Sequence, residues 1–138
     1  MILNAFTDGA SRGNPGESGI GILVKTENGE IVLSVHGYIG KTTNNVAEYT
    51  ALLALLKRVK ALRCDGLIVH SDSELMVRQV NGDYKVKDAK LKRQFQKVSK
   101  LIDSLPCGFE LRHVSREENS EADRLANRGI ESRKRIRI

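Results

Sequence analysis

The 138-residue chain has no tryptophan, three phenylalanines, three tyrosines, two cysteines and two prolines. So few aromatic rings exclude a module that grips single strands by stacking bases on side chains. Cys64 and Cys107 are too few for a disulfide framework and lack the spacing of a zinc site. Two free thiols, buried or half-buried, in a reducing cytoplasm are expected instead. Long apolar runs are missing: the longest, Ala51 to Leu56, falls far below the roughly 18 residues a membrane-spanning helix needs. Met1-Ile-Leu-Asn-Ala-Phe6 carries no basic leader before an apolar stretch, so no secretory signal is expected. Repeats, low-complexity tracts and linkers are also missing, which at this length fits one domain.

What is present is a globular composition, 40% hydrophobic and 29% charged, with a formal net charge of +6. Excess positive charge favours a polyanionic partner without identifying it. Half of it lies in Glu131 to Ile138, where four basic groups face one acid. The chain therefore divides into a domain over 1–130 and a basic tail over 131–138. Ile136 and Ile138 in that tail leave two readings open, a short docked strand or a disordered basic arm adding nonspecific affinity.

The patterning predicts an α/β domain built on a five-stranded mixed sheet. Ile2 to Asp8 reads as a strand ending in an acid, followed by a turn-rich loop to Gly16. Gly19 to Thr26 and Glu30 to Ile39 read as a hairpin across Asn28-Gly29, the dipeptide a type I′ turn prefers. Asn44 to Leu62 is the longest helical pattern. Gly66 to Ser71 is a short buried-strand pattern, and Asp72 follows it. Helices are predicted over Glu74 to Val80 and Asp88 to Leu105, a fifth strand over Phe109 to Val114, and a last helix over Asn119 to Gly129 with Gly129 as its cap. A hairpin first and crossover helices afterwards make an antiparallel meander extended by parallel strands. Ligands of such sheets collect beyond the carboxyl ends of the parallel strands.

Four acids stand at those positions. Asp8 and Asp72 each end an apolar strand. Glu48, in the first turn of the long helix, shares a helical stripe with Leu52, Leu55, Val59 and Leu62, so it tips towards the sheet. Asp123 lies in the first turn of the last helix. Each has a structural alternative: Asn45-x-x-Glu48 and Ser120-x-x-Asp123 resemble capping boxes, Asp72 could cap a helix, and Asp8 could open an Asx turn. Together, however, they would place four negative charges in one small volume, where repulsion costs several kcal/mol even at an effective dielectric of ~20. A carboxylate cluster without His or Cys is a site for hard cations, Mg²⁺ or Mn²⁺.

Four blocks in this order resemble the type 1 ribonuclease H family: Thr7-Asp-Gly-Ala-Ser-Arg-Gly-Asn-Pro-Gly16, Thr42-Thr-Asn-Asn-Val-Ala-Glu48, Ser71-Asp-Ser73, and Asn119-x-x-Ala-Asp-x-Leu-Ala126. The resemblance implies a ribonuclease H-like fold. It implies endonucleolytic hydrolysis of the RNA strand of RNA–DNA hybrids to 5′-phosphate and 3′-hydroxyl ends, with two divalent ions on Asp8, Glu48, Asp72 and Asp123. It also implies recognition of the 2′-hydroxyl by Asn14, Asn44 and the main chain from Gly9 to Ser11, and a phosphate contact at Thr43. No obligate protein partner is evident, and a monomer is expected.

The chain departs from the family at three places. Glu74 stands where Gln is common and can accept from a 2′-hydroxyl but not donate. The basic protrusion of longer members is short here and lacks Trp; Tyr84, Lys85, Lys87, Lys90, Lys92 and Arg93 either track the DNA strand or form a solvated face. The family's mobile His, on a loop before the last helix, has two counterparts, Arg116 on the loop or His113 in the strand, and the sequence leaves that choice open. The rival readings are a hybrid- or RNA-binding module of the same fold without turnover, and a junction-resolving nuclease or exonuclease on a related architecture.

Overall fold

Period-two burial sets the first layer. In β1 (Ile2–Gly13), Leu3, Ala5 and Thr7 are buried, and their partners Val24 and Ile22 on β2 (Gly16–Lys25) are fully buried beside them. Leu33 and Val35 on β3 (Ile31–Thr42), Leu67 and Val69 on β4 (Gly66–Ser71), and Leu111 on β5 (Gly108–His113) continue the same apolar face. The computed structural model describes all residues, 1–138. The strands form one sheet in the order β3-β2-β1-β4-β5. β1–β2 and β2–β3 are antiparallel; β1–β4 and β4–β5 are parallel. The mixed five-stranded sheet is as expected.

Helix α1 (Asn44–Val59) lies against that face and is buried nearly all round, because α3 (Ala89–Asp103) covers its outer side. Leu52, Leu55 and Leu56 are wholly buried, each contributing about 1.5–3 kcal/mol through burial. The short α2 (Glu74–Val80) adds Met76 and Val77 to the same core. On the opposite face lies α4 (Ser120–Ser132), which approaches the sheet at small residues. A Cβ on Gly21 would fall 2.3 Å from the Ala122 carbonyl oxygen, and one on Gly19 2.5 Å from that of Ala126. No helix is long and apolar enough to cross a membrane.

Several boundaries differ from expectation. β1 does not stop at Asp8 but pairs with β2 as far as Gly13↔Gly16; the glycines that read as loop instead allow a tight hairpin. The β2–β3 turn is not type I′. Within the turn Gly29 alone has positive φ (83°), its N–H donates to Thr26 O, and the Thr26 N–H donates to Glu30 O.

 This is a three-residue loop closed by a left-handed glycine. Gly129 does not cap α4; the helix runs through it to Ser132 and ends at Arg133, which takes the left-handed conformation (φ 54°). Glycine is needed at 129 for space, since a Cβ there would fall 2.4 Å from Gly37 O.

Residues 133–138, part of the stretch set apart in the sequence as a basic tail, dock on the β3 edge. The Tyr38 N–H donates to Lys134 O (3.0 Å), the Ile136 N–H donates to Tyr38 O (3.2 Å), and Ile136 packs over Gly37. Cys64 and Cys107 are half-buried free thiols in contact. His70 stacks on Phe6 at 4.6 Å. Its pKa is lowered, first by burial and then by the Arg112 charge. Replacing Gly129 with Ala forces helix and strand backbones apart, and a loss of about 2–3 kcal/mol is expected in urea unfolding.

Candidate active site

The sheet itself brings the first two acids together. The parallel β1–β4 ladder ends at Phe6↔His70, and Asp8 and Asp72 each lie two positions beyond it. β4 ends there while β1 runs on beside β2, which opens a notch at the carboxyl end of the parallel strands. Glu48 enters from α1. It sits one turn further along the helix than expected, since the first turn of α1 contains no acid. It is 4% exposed and accepts a hydrogen bond from the Gly9 N–H at 2.8 Å. That bond requires close approach of α1 to β1: a Cβ on Gly9 would fall 2.3 Å from the Ala47 carbonyl carbon. Asp123, in the first turn of α4, arrives from the opposite face.

None of the four acids is used as a helix cap. Thr43 caps α1 through its hydroxyl, which accepts from the Val46 N–H, and Ser73 caps α2 by accepting from the Met76 N–H. Asn119 occupies the N-cap position of α4. Asp8 lies inside a continuous strand, not in an Asx turn. The structural alternatives for these acids are therefore taken by other residues.

One carboxylate oxygen each of Asp8, Glu48 and Asp72 lie within 4.8 Å of one another. With Asp123, Gly9, Ala10, Ser11, Asn44 and Arg116 they line a cavity of about 180 Å³. Burial, followed by the charges of Glu48 and Asp72, pushes the Asp8 carboxyl up to about 10. Burial likewise raises Glu48 to about 8, against the opposing pull of the Gly9 N–H and the Arg116 charge. Such a site, without an ion, holds protons at neutral pH. The all-oxygen donor set fits a hard divalent cation, which would replace those protons.

A family profile described as "Reverse transcriptase-like" matches residues 6–129. Ribonuclease HI of Halobacterium salinarum is 35% identical over 129 residues, 94% of this chain and 64% of that protein. The crystal structure of LC11-RNase H1 in complex with RNA/DNA hybrid matches with a TM-score of 0.89 at 40% identity, covering 94% of this chain and 97% of that one. The chain belongs to the type 1 ribonuclease H family. A bifunctional protein of Mycobacterium tuberculosis is 38% identical over 126 residues, 91% of this chain. The chain spans about two thirds or less of these curated relatives, 64% of the Halobacterium protein and 34% of the Mycobacterium one.

The other ribonuclease H positions named from the sequence are distributed as follows. Asn14 lies in the β1–β2 turn, and its Oδ1 accepts from the Asn44 N–H at 3.1 Å, so it fixes the start of α1. Asn44 lines the cavity. The Ser11 hydroxyl donates to Thr42 O at 2.9 Å, tying the end of β1 to that of β3. Arg116 lines the cavity; His113 is exposed at the end of β5, paired with Ser71, and does not. Glu74 is outside the cavity and faces Arg78 at 3.6 Å, four residues on. Tyr84, Lys85, Lys87 and Lys90 are also outside it: Tyr84 lies under Arg78, Tyr84 and Lys85 border a separate groove, and Lys87 and Lys90 are exposed.

Sequence reasoning missed Asn119. It is 1% exposed and donates from Nδ2 to Thr7 O at 2.9 Å, pinning the start of α4 to the strand position before Asp8. Its place four residues before Asp123 in the last matching block was the available signal.

The raised Asp8 pKa sets the sign of a stability effect. The folded value near 10 lies above the ordinary 3.8, so the contribution is complete below about pH 4 and is lost as pH rises towards 10. In EDTA the Tm should fall over that window. Asp8→Asn should raise the Tm at pH 8 relative to the parent, and added Mg²⁺ should stabilise the parent more than the variant. Calorimetric scans with and without Mg²⁺ check all three.

Proposed function

We propose that the protein is a metal-dependent endoribonuclease that hydrolyses the RNA strand of RNA–DNA hybrids, leaving 5′-phosphate and 3′-hydroxyl ends. The observation that carries this reading is the meeting of four carboxylates with Asn44 and the Gly9–Ser11 main chain in one cavity. The hybrid bound in the LC11-RNase H1 structure supports the choice of substrate. Asp8, Glu48, Asp72 and Asp123 would hold two Mg²⁺ ions, or Mn²⁺ in their place. When bound, such ions supply Lewis-acid activation of an attacking water and compensation for charge on the departing 3′ oxygen.

The chain's own residues do the positioning. The Gly9 N–H fixes one Glu48 oxygen and so holds the Glu48 carboxylate beside Asp8 and Asp72. The Asn14 side chain holds the Asn44 N–H, so the Asn44 amide group remains to meet a 2′-hydroxyl as both donor and acceptor. That contact selects RNA at the strand to be cut. Arg116 places a positive charge beside the acids, where it stabilises negative charge gathering on the phosphate. No nucleophilic Ser or Cys is needed, since water is the nucleophile.

Labelled RNA–DNA hybrid, duplex RNA and duplex DNA incubated with the protein and Mg²⁺ test the reading. Internal cuts in the hybrid RNA are expected, reduced by about 10³-fold or more in Asp72→Asn. Intact hybrid despite tight binding would favour a binding module, and cleavage of duplex DNA a resolvase-like nuclease. Asn44→Ala should lower the rate on hybrid by about 10-fold or more, through loss of the 2′-hydroxyl contact.

A further inference from the structure

The chain has two cysteines in 138 residues, and the fold sets them against each other. Cys64 precedes β4 and Cys107 precedes β5, 43 residues apart in sequence. The two strands pair in parallel from Gly66↔Gly108 onwards. Continued one step back, that register sets Asp65 against Cys107 and puts Cys64 one residue beyond. Asp65 is fixed in the ladder from both sides: its carbonyl accepts from the Gly108 N–H at 3.2 Å, and its N–H donates to Met1 O at 2.8 Å. The sulfurs meet, with the Cys64 thiol donating to the Cys107 Sγ at 2.9 Å. Parallel neighbours about 4.8 Å apart, offset by one residue of about 3.3 Å, have Cα atoms roughly 6 Å apart, a separation a disulfide spans.

Catalysis makes no use of either thiol. Both lie at the amino ends of the parallel strands, whereas Asp8 and Asp72 stand beyond the carboxyl ends. The length of β4, about 20 Å, therefore separates the pair from the carboxylate cavity. Each cysteine is half-buried against the apolar core, and its flanking residues, Arg63 and Asp65 or Pro106 and Gly108, are exposed. A small reagent can thus reach the sulfurs from solvent. Burial, followed by the Cys107 contact, pushes the Cys64 thiol up to about 11. A thiol held so firmly protonated is no catalytic nucleophile.

We propose that Cys64 and Cys107 form a redox-modification site, at which exchange with a low-molecular-weight disulfide closes an intrachain disulfide that staples β4 to β5. In the first step one protein sulfur attacks the reagent's S–S bond, forms a mixed disulfide and expels one reagent thiolate. In the second, the neighbouring cysteine attacks the protein sulfur of that mixed disulfide and expels the other. Two electrons pass from the cysteine pair to the reagent, and the two thiol protons end on the two reagent thiols. The closed loop holds β4, α2 and α3, so the link restricts the unfolded chain over that whole stretch. Asp72 is carried inside the loop, at the end of β4 away from the link.

Glutathione disulfide added to the full chain, followed by intact mass and thiol counting, tests the proposal. Loss of two hydrogen atoms and of both free thiols in the monomer is expected, reversed by dithiothreitol. The oxidised form should melt about 10 °C above the reduced one, and Cys64→Ser and Cys107→Ser should each abolish the difference. The parent compared with itself in the two states decides, whether or not a serine variant folds. A glutathione adduct that persists on either cysteine, a dimer linked between chains, or equal Tm values in the two states overturns the proposal. So does loss of hybrid cleavage on oxidation, since the staple lies away from the cavity. A protein that closes the disulfide with the expected rise in Tm but cuts no hybrid in either state refutes the hydrolase reading and leaves this one standing.

Discussion

The structure turns on mutual repulsion among carboxylates that the fold does not allow to separate. Asp8 is held by the central strand, Asp72 by the end of its parallel neighbour, Glu48 by the Gly9 N–H, and Asp123 by a helix pressed close to glycines. Each constraint comes from a different element, so relaxation of one leaves the others in place. The protein holds charges together against their preference and so prepares a site suited to a hard cation.

Small residues make that convergence geometrically feasible. Gly9 admits α1, while Gly19 and Gly21 admit α4 at Ala126 and Ala122. An added methyl at any of these positions would push a helix outward and carry its acid with it. The polar ties act in the same direction. Asn119 fixes α4 to Thr7 O, Asn14 fixes α1 to the first hairpin, and Ser11 ties β1 to β3. Residues that read as recognition groups in the sequence thus also assemble the cavity.

The fold was largely legible because burial follows simple periods. Alternation at Leu3, Ala5 and Thr7 marks a strand, and the Glu48, Leu52, Leu55, Val59 stripe marks the buried side of a helix. What was not legible depends on contacts between distant segments. Composition makes Gly9 to Gly16 look like a loop, whereas pairing with β2 extends the strand through it. Gly129 looks like a helix stop, but its lack of a side chain serves Gly37 across the interface. The four acids were found by their positions at element ends. That none of them is a cap required seeing Thr43, Ser73 and Asn119 in those positions.

The central claim is that protons occupy the carboxylate cluster until a divalent cation displaces them, and titration calorimetry of Mg²⁺ at neutral pH tests it most directly. Repeating the titration in buffers of different ionisation enthalpy counts the protons released on binding. The account predicts net proton release in the parent protein and a smaller release in Asp8→Asn. Mg²⁺ binding with no proton release, equal in the two proteins, would contradict it.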